Sequence, residues 1–124
     1  VNFAGAVRIE QLPVLYTISA LMVTGDAGPS HFAAVTGLPT FVLYGPETPK
    51  LSGALGNSTH IYAGLACSPC LSAANHRRTP CLDNKCLQAV SVDQVLEAIR
   101  PVLLPERKDE PRVENNAETQ RKVG

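Results

Sequence analysis

With 124 residues, 44% of them hydrophobic, the chain has apolar material for one compact domain and not for two. Eleven basic residues balance eleven acidic ones and aromatic residues make up 5%, which leaves no phosphate-tracking basic surface and no base-stacking platform, and excludes nucleic acid as a partner. No apolar run approaches the ~20 residues needed to span a bilayer and no secretory signal opens the chain, so a soluble piece without a transmembrane segment is expected. The first residue is Val1 and Met22 is the only methionine, as expected of a piece of a longer or processed product.

Residues 1–4 read as the end of a strand, and Gly5 turns the chain. Apolar residues then recur at Ile9, Leu12, Leu15, Tyr16 and Ile18, which is helical spacing. Pro13 fits a helix that starts near Glu10, where it falls among the first residues, whose amides lack intrahelical partners. Residues 20–24 are continuously apolar and predict a strand covered on both faces. That strand delivers the chain to Gly25-Asp26-Ala27-Gly28-Pro29-Ser30-His31. Pro29 suits the first helical position, and Gly28 can take a backbone angle closed to other residues and admit a ligand to the main chain. The amides of Ala27, Gly28, Ser30 and His31 then converge at the positive end of a helix dipole, a place suited to phosphate or pyrophosphate. The plainer alternative is a tight strand-to-helix connection in which Asp26 only caps the helix.

A helix over 29–36 with Gly37 as its stop, then a buried strand over 40–44, completes a βαβ unit with a right-handed crossover. The turn Gly45-Pro46-Glu47-Thr48-Pro49 leaves the carboxyl end of that strand, on the sheet edge where ligands of open α/β sheets gather. Two such turns at neighbouring strand ends favour a binding cleft. Residues 50–58 read as a loop, and 59–63 as a strand near an edge. Cys67, Cys70, Cys81 and Cys86 follow. Four thiols with a C-x2-C pair suit a structural zinc, and ordinary reduced thiols or redox-labile pairs are the other reading; disulfides do not suit a reducing cytoplasm. Between them His76 reads as a solvated side chain rather than a ligand, and Arg77 and Arg78 read as surface charge, with a clamp for an acceptor phosphate as the other reading. Ser91-Val92-Asp93-Gln94 has the form of a capping box, and Val92, Val95, Leu96, Ile99, Val102 and Leu103 keep an apolar stripe expected to be core, with Pro101 kinking the helix or ending it near Arg100. Ten of the 22 charged residues lie in 105–124, five of each sign, which predicts a disordered tail.

Three ordered blocks, Asp26-Ala27-Gly28-Pro29-Ser30-His31, Gly37-Leu38-Pro39-Thr40 and Tyr44-Gly45-Pro46-Glu47-Thr48-Pro49, resemble the D-[ST]-G-P-x-H, G-x-P and [FY]-G-P-T-x-P blocks of glycosyltransferase family nine. This is the group of the ADP-heptose:lipopolysaccharide heptosyltransferases. Asn2-Phe3-Ala4-Gly5 resembles the family's N-L-A-G, and Cys67-Ser68-Pro69-Cys70 a C-x-P-C pattern common in it. The resemblance covers roughly residues 1–103.

It implies an α/β fold, a partial Rossmann-like parallel sheet with flanking helices, as the later part of the C-terminal, donor-binding domain of a GT-B enzyme. That domain would span 1–104, with a cysteine-rich insertion at 67–86 and the charged tail at 105–124. The implied reaction moves a sugar, a heptose in the family, from a nucleotide diphosphate to a lipopolysaccharide-type acceptor. Asp26, Ala27 and Gly28 would lie at the donor pyrophosphate, with the Gly28, Ser30 and His31 amides on its oxygens and Gly45 beside them. Val7, in the loop 5–8, would edge the nucleoside pocket. Ala27 stands where the family usually has Ser or Thr, removing a hydrogen bond to a charged partner worth about 1.5–3 kcal/mol. Gly25 stands where a larger residue is common, without a functional account. The catalytic base is expected in a missing N-terminal domain, so this chain holds no catalytic residue, needs no catalytic cofactor and is inactive alone. The implied location is cytoplasmic, with a peripheral position at the inner membrane as a variant. Two other classes fit parts of the sequence: a metal-stabilised cysteine-knuckle interaction module, and another GT-B nucleotide-sugar enzyme.

Overall fold

Three short parallel strands carry the fold: β1 (Met22–Gly25), β2 (Thr40–Tyr44) and β3 (Ser58–Tyr62), side by side in that order. The computed structural model describes residues 1–105, and the rest of the expected tail, 106–124, lies outside the described residues. Met22 pairs with Thr40 and Thr40 with Ser58, so the three strands start level and their carboxyl ends share one edge. A 3-10 turn at Ile9–Gln11 runs into α1 (Leu12–Thr17), and α2 (Gly28–Ala33) links β1 to β2. After β2 come α3 (Pro49–Ser52), a 3-10 turn at Ala73–Asn75, α4 (Lys85–Gln88) and α5 (Val92–Leu103). The chain is thus an α/β unit with a partial Rossmann-like parallel sheet.

β2 is the centre because its residues can be buried from both sides: Phe41, Val42 and Tyr44 are at most 4% exposed. Val42 and Tyr44 pack with Ala54 and Tyr62, while Tyr16 of α1, Ala33 of α2 and Leu38 form a second cluster joined by Leu12, Leu15 and Met22. The Tyr44 hydroxyl accepts from the buried Ala54 N–H at 3.1 Å, and its ring meets His60 edge-on at 5.2 Å. A phenol therefore closes the loop between β2 and β3 from below.

Several expectations need correction. Residues 1–4 form no strand, because their polar groups are used locally: Ala6 N–H donates to the Phe3 carbonyl at 2.9 Å around Gly5, whose φ is 76°. β1 starts at Met22 and is not covered on both faces; half-buried and exposed residues alternate along it, as suits an edge strand. α2 stops at Ala33, short of the expected 36, where both the amide and the hydroxyl of Thr36 take the Ala33 carbonyl at 3.0 and 2.8 Å. Gly37 then turns the chain with φ 70°. The loop 50–58 opens with α3, started by Pro49 and by Thr48, whose hydroxyl accepts from the Lys50 N–H.

The capping box of α5 forms, with the Ser91 hydroxyl accepting from Gln94 N–H and the Gln94 side chain accepting from Ser91 N–H. Pro101 does not end the helix near Arg100: α5 continues to Leu103, and Leu104 N–H reaches the Arg100 carbonyl at 2.8 Å. Only the bond that a residue-101 amide would have made to the Glu97 carbonyl is lost. The stripe of α5 is not core. Val92 is 73% exposed and Leu103 53%, and no residue of the helix is fully buried, although α5 contacts β2 and β3.

Candidate functional site

A cavity of about 430 Å³ opens at the carboxyl ends of β1 and β2. Gly25 and Asp26 line it from the first turn, Gly45, Pro46 and Glu47 from the second, and Leu43, Leu71 and Leu87 give it apolar walls. Arg77 closes the rim. This is the edge where the two glycine turns were expected to meet.

The first turn is built outward from the sheet. Asp26 N–H donates to the Leu43 carbonyl at 3.2 Å, which carries the ladder one residue past β1 and fixes the side chain beside β2. Burial raises the Asp26 carboxyl above its usual range and Glu47 adds to the effect, while His31, Ser52 and Arg77 oppose it. Ala27 is extended, α2 starts at Gly28, and Pro29 lies in its first turn. The Ala27 and Gly28 amides have no hydrogen-bond partner among the described residues.

Ser30 behaves otherwise than expected. It is fully buried, its N–H donates to the Ala27 carbonyl at 3.1 Å and its hydroxyl to the same oxygen at 2.7 Å. Its amide is therefore spent on the protein's own carbonyl and holds the turn together. Gly28 does not take a left-handed backbone angle, and a Cβ there would meet nothing within 4 Å; it leaves open space above the main chain. α2 has only six residues, so its dipole is shorter than the expected helix would have supplied. Ala27, Gly28, Ser30 and His31 do not line the cavity, and neither does Val7, half-buried in the loop before α1.

The second turn explains Gly45. A Cβ on it would come within 2.6 Å of Leu87 Cγ, so the missing side chain is what lets α4 close over the strand end. The Pro46 carbonyl accepts from Cys70 N–H at 2.8 Å and Leu71 N–H at 2.9 Å, docking the cysteine-rich stretch on the turn. That stretch then returns Arg77 to the rim, where its Nη1 lies 3.2 Å from Glu47 Oε1. Sequence reasoning passed over Glu47 and ranked Arg77 as surface charge ahead of a phosphate clamp.

The four cysteines are all free: Cys67 and Cys81 exposed, Cys70 half-buried, Cys86 buried. Cys81 Sγ points at Asp83 Oδ1, 3.6 Å away, and Cys86 Sγ at Asn84 Oδ1, 3.5 Å away. Among the described residues no three His, Cys, Asp or Glu side chains are grouped to hold a metal ion. No described helix is long and apolar enough to cross a membrane.

Comparison with known proteins places this geometry. The model of glycosyltransferase family 9 (heptosyltransferase) matches residues 1–79, well over half of the chain. The chain belongs to glycosyltransferase family 9. This family 9 chain is 28% identical over 104 residues to lipooligosaccharide heptosyltransferase 2 of Campylobacter jejuni, covering 82% of the chain and 31% of that protein. It is 42% identical over 50 residues to lipopolysaccharide heptosyltransferase 1 of Pseudomonas aeruginosa, covering 40% of the chain and 14% of that protein. Over 60 residues it is 33% identical to lipopolysaccharide heptosyltransferase 2 of Salmonella typhimurium, covering 48% and 17%. The chain thus spans less than a third of the length of these relatives. No solved structure matches it.

Proposed function

We propose that this family 9 chain is the later part, residues 1–104, of the donor-binding domain of a GT-B heptosyltransferase acting in lipopolysaccharide core synthesis on the cytoplasmic side of the membrane. The observation that carries the reading is the cavity at the carboxyl ends of β1 and β2, walled by residues of both glycine turns that the family resemblance rests on. A nucleotide diphosphate donor would lie with its diphosphate over Gly28, taking the unpartnered amides of Ala27 and Gly28, with the sugar toward Asp26. A half-buried carboxylate suits sugar hydroxyls, which donate to it. His31 stands near enough to favour the Asp26 carboxylate electrostatically. Val7 would border the nucleoside. Ser30 and Gly45 then support the site without touching ligand, the first by tying the turn and the second by admitting Leu87.

The division of labour follows from what the cavity offers. Sugar transfer needs a base for the acceptor hydroxyl and positive charge or amide dipoles for the departing diphosphate. The first turn provides amides, those of Ala27 and Gly28. The base and the acceptor site belong to the N-terminal domain of the whole enzyme, and catalysis needs no cofactor.

A titration of the chain with ADP and with adenosine, followed by amide NMR, tests the reading. ADP is expected to shift the Ala27 and Gly28 resonances and adenosine to leave them in place. With ADP-heptose and acceptor the chain is expected to transfer no sugar. Unmoved Ala27 and Gly28 resonances at saturating ADP, or measurable transfer, would overturn the assignment.

A further inference from the structure

Glu47 and Arg77 form an unequal pair. The Glu47 side chain is 14% exposed and belongs to the cavity wall, whereas Arg77 is 69% exposed and reaches in from solvent. One ion-pair contact joins them, Nη1 to Oε1 at 3.2 Å, and no hydrogen bond of the Arg77 side chain occurs among the described residues. A guanidinium carries five N–H donors in a fixed fork, so most of its capacity is unused.

The backbone beneath that side chain is, by contrast, locked. Arg77 N–H donates to the Ser72 carbonyl at 2.9 Å, and Asn75 Nδ2 to the Cys70 carbonyl at 2.7 Å. Cys70 and Leu71 are themselves held by the Pro46 carbonyl, one residue before Glu47. His76 and Arg77 both take left-handed angles, φ 54° and 55°, a conformation that non-glycine residues keep only where the surroundings impose it. The chain is bent to bring residue 77 back to the turn after β2, and a surface charge needs no such bend.

Charge decides what the arrangement is for. The cavity is lined by two carboxylates, Asp26 and Glu47, and by one cation, Arg77. A diphosphate entering beside them meets like charge from both, and burial and the nearness of Glu47 already hold back ionisation of Asp26. Among the residues that line the cavity, the group that can offset that repulsion is the guanidinium, whose fork matches phosphate oxygens bidentately.

We infer that Arg77 is a binding residue for the anionic oxygens of the donor diphosphate, held at the rim by Glu47 until the ligand arrives and then shared with it. The inference rests on the diphosphate reading above. It assigns a role in donor binding to the cysteine-rich stretch, which delivers the residue. Glu47 competes with the ligand for the same donors, so the two partners act in opposite directions.

That opposition is the test. Inorganic pyrophosphate is titrated into the unaltered chain, Arg77→Ala and Glu47→Gln, with affinity read from amide NMR shifts. Arg77→Ala is expected to weaken binding about tenfold or more, the loss of a charge-assisted hydrogen bond to an anion. Glu47→Gln is expected to tighten it. A pair that merely pins the loop would lose affinity on either substitution, so a Glu47→Gln affinity that is unchanged or lower overturns the inference, as does an unchanged Arg77→Ala affinity. If the unaltered chain does not bind pyrophosphate at all, the diphosphate reading fails and takes this one with it.

Discussion

Asp26 is the residue on which the two turns converge, and its protonation is linked to folding. Burial first and Glu47 second lift its carboxyl above the usual 3.8. The folded chain therefore holds this proton more tightly than the unfolded chain does. The stabilising effect is fully present below the unfolded value and is lost as the pH rises through the raised folded one. Asp26→Asn removes the dependence. Melting midpoints of the unaltered chain are expected to fall, relative to those of the variant, as the pH is raised from about 4 toward neutrality; parallel curves would show that the carboxyl is not held up. Asp26 was legible in the sequence because strand, aspartate and glycine turn are contiguous. Arg77 was not, since nothing local marks a surface arginine thirty residues beyond Glu47 as its neighbour; the link runs through the Pro46 carbonyl and two left-handed residues. Ser30 was misread for a related reason. Whether an amide in the first helical turn faces a ligand or its own chain depends on the Ala27 carbonyl, whose direction no residue pattern records.

Among the elements, β2 was legible to its ends because a short apolar run buried on both sides must lie between turn residues, and Gly37-Leu38-Pro39 and Gly45-Pro46 bracket it. Elements at the margins were read with less fidelity. β1 lacks cover on its outer side, and the α5 stripe has apolar residues that find only β2 and β3 to contact. Periodicity tells which face of an element is apolar, and the extent of its burial is set by neighbours. Gly45 shows the same dependence in the opposite sense. As a glycine in a turn it reads as a place for ligand approach, yet its nearest constraint is Leu87 of α4. Gly45→Ala is expected to cost about 1–3 kcal/mol by overpacking. Leu87→Ala in the same chain should recover much of that loss, giving a coupling between the two sites in denaturant midpoints. Strict additivity would mean that α4 does not press on the strand end.

Over the whole molecule, the sheet ends in two different edges. β3, the strand at the other edge, opens with the polar run Ser58-Thr59-His60, which discourages pairing. β1 has no partner on its outer side among the described residues; its own Val23 is 43% exposed, and Phe32 of α2, the helix that contacts it, is 47% exposed. An open edge beside apolar side chains is a template for another strand. The chain is therefore expected to self-associate with rising concentration in sedimentation, and Val23→Lys to reduce this. A monomer at all concentrations would show that the edge is blunted in some other way. The Pro46 carbonyl, holding two amides from the cysteine-rich stretch, has a different consequence for the molecule as a whole. The three strands themselves are complete by Tyr62, but the hollow at their tips is not. Cut after Gly64, the protein would lose α4 and α5 from beside its strands and present a bare ledge, because the far wall and the guanidinium that lines it are lent by residues beyond the last strand.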